Sequence, residues 1–426
     1  MHRTRRLSTV TVLAVIAMGL PTLDVRADDI TIVLTGDTGF SRNHSPVHPK
    51  GVLKFGKRPP FKTALAGIAD EIDGDLNFTN IETVVTDRND LRRDTKGQRG
   101  PFNFRTHPNG LRALVGAGFN VLSLANNHSM DYGPTGLRET LKHVAALPRD
   151  PMRLVAGIGE DRKAAAAVAT TRFKGVDIAF GALGIATNNL ARHRAGENKP
   201  GQLAYRFDAD FRTALTQLRS TAADYRMLSI HYGIEGQVRT DARQIKDWRR
   251  RAARDGAIDL VIGHHAHVVR AIERVGDALV FYGLGNFIHH GTANMTRKGI
   301  CKDYGLVARI HLRRSKAGLV TPLAVEVLPV TQTHIATTRL KPAASTARIH
   351  VLNYLAGKLP QSRGIPKAEG LRFTPQKDGR GLYCFAGAID AEAGGSGRAA
   401  SLCKGWTPAP QPPASLRRRI ARSCAR

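Results

Sequence analysis

From residue 30 to about residue 330, short apolar runs rich in β-branched residues alternate with stretches of helical spacing. Residues 30–35 form the first extended run and end at Gly36. Residues 61–72 carry apolar positions at helical spacing, and 76–79 are extended again. The pattern then predicts a helix over 110–117, a buried strand over 120–125 and a helix over 135–146. Further on it predicts strands over 176–183, 226–230 and 258–262, interleaved with helices over 211–223 and 242–253. Such alternation is the mark of an α/β domain with largely parallel pairing. Two later segments, 269–287 and 306–330, read as hairpins, so the sheet system is expected to be mixed. About 300 residues suffice for one large domain with a substantial core.

The texture changes beyond Thr331. Residues 344–359 keep helical spacing, but the remainder is rich in Gly, Pro, Ala and Arg. It includes the run Pro408-Ala409-Pro410-Gln411-Pro412-Pro413 ahead of a basic end. That composition predicts a poorly packed extension over 336–426 behind a folded domain over 28–335.

Arg3, Arg5 and Arg6 precede an apolar stretch over 10–20, and Val25-Arg26-Ala27 places small residues ahead of Asp28. This is the order of a secretory signal peptide over residues 1–27, cleaved after Ala27, and it predicts an exported protein of the periplasm or cell envelope. The alternative is an uncleaved N-terminal anchor, although the run is short for a membrane span. The formal charge is +29, and removal of residues 1–27 takes four basic residues and one acidic one, leaving +26. A charge of that size points to polyanionic partners, or to a solvated basic surface without one. Export, and the lack of any zinc-finger, homeodomain or RNA-recognition pattern, argue against nucleic acid. Cys301, Cys384, Cys403 and Cys424 form no C-x-x-C pair, which removes zinc-knuckle and thioredoxin readings. In an oxidising compartment they predict one or two disulfides, with three connectivities open.

Candidate chemistry recurs where predicted strands end. Asp37 follows the first strand, Asn80 and Glu82 the second, and Asn126-Asn127-His128 the third major one. His231 follows another, and His264, His265 and His267 the one after that. In open α/β sheets the carboxyl ends of strands form one rim, where ligands bind. Taken singly, Asp37 also fits a turn or helix cap, Asn80 and Glu82 a solvated edge, and His231 a packed histidine. Gly263-His264-His265-Ala266-His267 has few structural uses; on an extended strand end, His265 and His267 would point the same way. Imidazole, carboxylate and amide oxygen together suit Mn, Fe, Zn or Co better than Ca. P-loop, G-x-S-x-G and H-E-x-x-H motifs do not occur.

These residues, in this order, resemble the CapA family of poly-γ-glutamate capsule synthesis proteins, whose domain is similar to calcineurin-like metallophosphoesterases. The matching pieces are Gly36-Asp37, Asn80-Ile81-Glu82, Ala125-Asn126-Asn127-His128 with Asp131 and Gly133, His231-Tyr232-Gly233 with Glu235, Gly263 through Val268, and Gly285-Asn286-Phe287. The resemblance implies a metallophosphatase-like β-sandwich core flanked by helices. It implies metal ligation by Asp37, Asn127, His231, His265 and His267, with Asn80 and Glu82 replacing the second Asp-bearing motif. His264 is a register alternative. His128 would protonate the leaving oxygen or stabilise its charge. Where the phosphoesterase pattern has a histidine two residues after its first Asp, this chain has Gly39, so one ion or two are both open.

The function expected is that of an exported, metal-dependent, phosphoesterase-like hydrolase in capsule or exopolymer synthesis. Its partners would be an anionic polymer such as poly-γ-glutamate and other capsule-synthesis proteins, with peripheral membrane contact through the basic surface. The alternative is a non-catalytic polyanion-binding or export subunit with a degenerate metal site.

Overall fold

The computed structural model describes residues 29–51, 59–184, 190–315, 317–360, 368–389 and 398–425. The signal peptide expected over 1–27 lies outside them. Two twisted sheets form the framework. The first is built on β1 (Ile30–Gly39), β2 (Leu76–Ile81), β3 (Val121–Ser123) and β4 (Leu154–Ala156), which pair in parallel in that order. The second contains β5 (Ala169–Phe173), β6 (Val176–Gly184), β7 (Tyr225–His231) and β8 (Leu260–His264). It continues into β9 (Ile272–Val275) and β10 (Ala278–Phe281), in the order β9-β10-β8-β7-β6-β5. β6, β7, β8 and β10 are mutually parallel.

Strand period two explains how the sheets stack. Ile32, Leu34, Phe78 and Val121 turn one way into the core shared with the second sheet, while Val33 and Leu122 turn the other way. Between the sheets, Phe78 meets Phe180 edge-on at 5.9 Å, and the Ser229 hydroxyl lies 3.1 Å from that of Ser123. On the outer face of the first sheet lie α1 (Phe61–Ala66), α2 (Pro108–Gly116) and α3 (Gly133–Ala145), through Phe61, Leu65, Leu111, Leu114 and Leu137. The second sheet is covered by α4 (Asp208–Ser220) and by a helix that starts at Ala242 and becomes π-helical over Ile245–Arg254. Phe211, Leu218 and Trp248 are their main buried contacts. The result is the helix-flanked sandwich that the resemblance implied, and it covers both faces of the central strands, whose runs are therefore almost continuously apolar.

Several expected elements are refined by packing. The helix expected over 61–72 is broken at Gly67, where the α-helix ends, and resumes as a 3-10 turn over Ala69–Glu71. Of the first expected hairpin, β9 and β10 do pair antiparallel, but β11 (Asn286–His289) leaves them and runs parallel to β1 in the first sheet. The second hairpin is β12 (Gly305–Arg314) with β13 (Val320–Thr331), which joins the first sheet beside β1.

The C-terminal segment is tied in more firmly than its Gly/Pro-rich composition suggests. α5 (Pro342–Ala356) buries Ile349, Val351, Leu352 and Leu355 in the main core. β14 (Gly381–Cys384) pairs with β13. Disulfides join Cys301 to Cys424 and Cys384 to Cys403. Cross-links and strand pairing hold here what a small apolar content does not. Among the described residues, no helix is long and apolar enough to cross a membrane.

Candidate metal centre

The ends of β1, β2, β3, β7 and β8 deliver polar side chains to one place, and β11 adds more. Asp37 sits in a bulged stretch of β1, its N–H donating to Gly285 O at 3.0 Å. Gly36 permits this approach, since a Cβ there would lie 1.9 Å from Gly285 O. Glu82 follows β2 directly and donates its N–H to Thr38 O at 2.8 Å, locking the two strand ends together. Both carboxylates are buried, Glu82 completely.

All eight residues expected at the site are brought together. His231 Nε2 lies 2.7 Å from Asn127 Oδ1, 3.1 Å from His265 Nδ1 and 3.3 Å from Glu82 Oε1. His267 Nδ1 lies 3.4 Å from Asp37 Oδ2. Two triplets have donor atoms within 4.8 Å of one another: Glu82 with His231 and His265, and Asp37 with Glu82 and His267. Glu82 belongs to both. His128 approaches from the side, its Nε2 3.9 Å from Glu82 Oε1.

One expectation changes in detail. His265 and His267 do not alternate on an extended strand: β8 ends at His264, and both residues adopt left-handed backbone, φ 85° and 55°. Non-glycine residues in such conformations cost of order 1–3 kcal/mol each and gather at functional sites. It is these turns that aim the two imidazoles. Asn80 stands hydrogen-bonded within the cluster: its amide donates to Asp37 at 2.8 Å and faces His231 Nδ1 at 3.1 Å, and its oxygen accepts from Asn126.

Residues without an expected role also appear. Asp131 Oδ2 lies 2.7 Å from His128 Nδ1, and buried Lys96 pairs with Asp131 and sits 3.1 Å from the same nitrogen. Asn286 lies 2.8 Å from His267 Nδ1, and His289 Nε2 3.3 Å from Glu82 Oε2. Asp131 and Asn286 fall in the matched motifs, which is the signal that could have found them. Lys96 lies in an irregular loop with no periodicity to mark it.

The electrostatics follow from burial and crowding. Burial and the Glu82 charge oppose ionisation of Asp37, but His264, His267 and His231 hold its carboxyl below the usual carboxylate range. Burial likewise opposes charge on Glu82, and His267 and His231 outweigh it. Burial works against a charged His267, yet Glu82 and Asp37 push it up to about 10. Burial, together with His231 and His267, drives His265 well down. His267 and His231 thus both act to keep the two carboxylates ionised. Burial and the Lys96 ammonium bring His128 down to about 4 against the pull of Asp131, so its ring is neutral at pH 7.

The donor set fits a divalent transition metal. Both Glu82 oxygens and both His264 nitrogens are buried without a hydrogen-bond partner among the described residues. Unpaired buried polar groups of this kind are costly, and metal coordination is one of the few ways to satisfy them. Asp37, Glu82, His231, His265 and His267, with the Asn127 oxygen, mix carboxylate, imidazole and amide as such ions prefer. The centre opens into a cavity of about 570 Å³ whose lining includes His128, His267, Arg206, Lys298 and Lys302.

The site is thus a cluster of carboxylates and imidazoles at the strand ends of a two-sheet sandwich. Residues 31–291 match the family described as bacterial capsule synthesis protein PGA_cap, and the chain belongs to that family. It is 28% identical over 248 residues to the PGA biosynthesis protein CapA of Bacillus subtilis, covering 58% of this chain and 60% of that one. It is 30% identical over 220 residues to the capsule biosynthesis protein CapA of Bacillus anthracis, covering 51% and 50%. A probable polyglutamine synthesis accessory protein of Mycobacterium tuberculosis is 28% identical over 258 residues, covering 59% and 65%. The matches thus span about half to two thirds of the length of these relatives. Among solved structures, the chain is similar to the calcineurin-like phosphoesterase YfkN of Bacillus subtilis, with TM-score 0.42 and 13% identity, over 76% of this chain and 97% of that one.

Proposed function

We propose that the protein is an exported, metal-dependent hydrolase of the phosphoesterase type, acting in the synthesis of an anionic capsule or exopolymer of the poly-γ-glutamate kind. The observation that carries this reading is Glu82: a fully buried carboxylate, without a hydrogen-bond partner among the described residues, common to two sets of metal-competent donors. Names of the relatives support the link to capsule synthesis. Bound metal would supply Lewis-acid polarisation of a phosphoryl oxygen and a water nucleophilic at neutral pH.

The chain's own residues supply the rest. Asp37, Glu82, His231, His265, His267 and Asn127 would hold the cation, with Asn80 fixing Asp37 and His231 in place. His128, set by Asp131 and Lys96, stands beside the donors and would stabilise charge on the departing oxygen. Arg206, Lys298 and Lys302 line the cavity and make no ion pair among the described residues, so they are available to an anionic substrate. Those cationic walls also favour the second reading, a polyanion-binding subunit of the synthesis machinery.

Metal analysis of purified protein, with a phosphodiester hydrolysis assay, separates the two. The hydrolase reading expects bound Mn, Fe, Zn or Co and chelator-sensitive turnover, with metal lost in His267→Ala. It expects His128→Ala to keep the metal and lose roughly 10²–10⁴-fold in rate. Salt-sensitive binding of polyglutamate, untouched by chelator and without turnover, would overturn it in favour of the binding subunit.

A further inference from the structure

His289 ends β11 and is 1% exposed. Neither of its ring nitrogens has a hydrogen-bond partner among the described residues, yet Nε2 faces Glu82 Oε2 at 3.3 Å. The neighbouring His290 shows what a structural histidine does at this point in the fold: its Nε2 lies 2.9 Å from Ile335 O. His289 makes no comparable bond and turns to the carboxylate instead. Its ring also lies edge-on to that of His267, centroids 5.4 Å apart.

The strand pairing explains how it arrives there. β11 runs parallel to β1 with Gly39 opposite His289 in register. A Cβ built at Gly39 would lie in ordinary contact with His289 Nε2, at 3.8 Å, and nearer still to Glu82 O, at 3.3 Å, so position 39 adjoins the imidazole. Position 39 is two residues after Asp37 and carries glycine, so β1 brings no side chain to this point.

We propose that His289 is a further metal ligand of the centre built on Asp37 and Glu82, supplying from β11 the imidazole that β1 lacks at Gly39. The proposal rests on the metal-centre reading above. It makes Glu82 the meeting point of two imidazoles, His231 on Oε1 and His289 on Oε2, at 3.3 Å each.

The test uses full-length mature protein stripped with chelator, titrated with manganese(II) by calorimetry, and loaded with cobalt(II) for visible absorption. Wild type, His289→Ala, His289→Gln and the double variant Gly39→His with His289→Ala are compared. The two single variants should bind at least one equivalent more weakly, by no less than the roughly 10–100-fold that even a supporting residue costs. Their cobalt bands should shift. The double variant should recover affinity, because its imidazole re-enters the same space from β1. His289→Gln keeps volume and hydrogen-bonding capacity, so it reports on ligation if His289→Ala folds poorly. Equal affinities and unchanged cobalt spectra in the single variants would overturn the assignment while the metal centre stands. A double variant no tighter than His289→Ala would overturn the claim that His289 stands in for position 39. Wild type that binds neither ion would overturn both this inference and the reading beneath it.

Discussion

Glu71 and Glu82 are two buried glutamates, 2% and 0% exposed, treated in opposite ways. Glu71, after α1, is met by arginines from three distant parts of the chain. Arg380 reaches it at 2.6 Å, Arg309 at 3.8 Å, and Arg339 is in direct contact. Among the described residues, the Glu82 carboxylate meets no arginine or lysine, only imidazoles. Guanidinium is permanently charged and answers a carboxylate completely. Imidazole gives up its proton readily and is the commonest side-chain metal ligand. The first carboxylate is therefore finished by the protein itself. The second is left to be finished by something else, and this difference separates a structural acid from a site acid.

Removing the finished carboxylate gives the largest stability effect. Glu71→Gln should destabilise the fold by about 3 kcal/mol, near the low end for a broken buried pair because Arg380 keeps Asp378 and Glu326. Metal content should not change. Chemical denaturation and elemental analysis check both halves, and loss of metal in this variant would blur the comparison.

A third acid, Asp259, sharpens it from the other side. It precedes β8 at the end away from the centre, and its carboxylate accepts the Arg226 N–H at 2.7 Å. Burial pushes it up to about 6, outweighing the N–H and the charge of Arg226. The unfolded chain loses this proton near pH 3.8 and the folded chain only near 6, so this group's contribution to stability falls as pH rises between those values. Asp259→Asn should match wild type below pH 3.8 and exceed it above pH 6 by about 2–3 kcal/mol. Denaturant melts across that range check this, and a gap that does not grow with pH would contradict it.

Much of the site was legible because apolar strands here end abruptly in polar residues. Asp37, Glu82, His231 and the histidine cluster after β8 announce themselves in that way. Their geometry was less legible. The positive φ of His265 and His267 is set by packing, not by any local pattern of alternation. Asn80 reads as a polar site residue by type, and only the fold shows that its amide meets both Asp37 and His231. His289 was hidden because it joins the site through β11 pairing with β1, more than 240 residues earlier in the chain. The C-terminal segment was hidden for a related reason. Its order comes from strand pairing with β13 and two disulfides, which Gly/Pro-rich composition masks.

The most direct test of the central claim is the metal-dependent rise in stability, measured by melting wild type, Glu82→Gln and Glu71→Gln with manganese(II) and with chelator. A ligand bound only by the folded state at 100 times its Kd adds about 2.7 kcal/mol. Wild type and Glu71→Gln should both show a rise of that order, the latter from a lower starting point, and Glu82→Gln should show none. An equal metal-dependent rise in Glu82→Gln, or none in wild type, would contradict the claim that Glu82 is the carboxylate the protein leaves for a cation to complete.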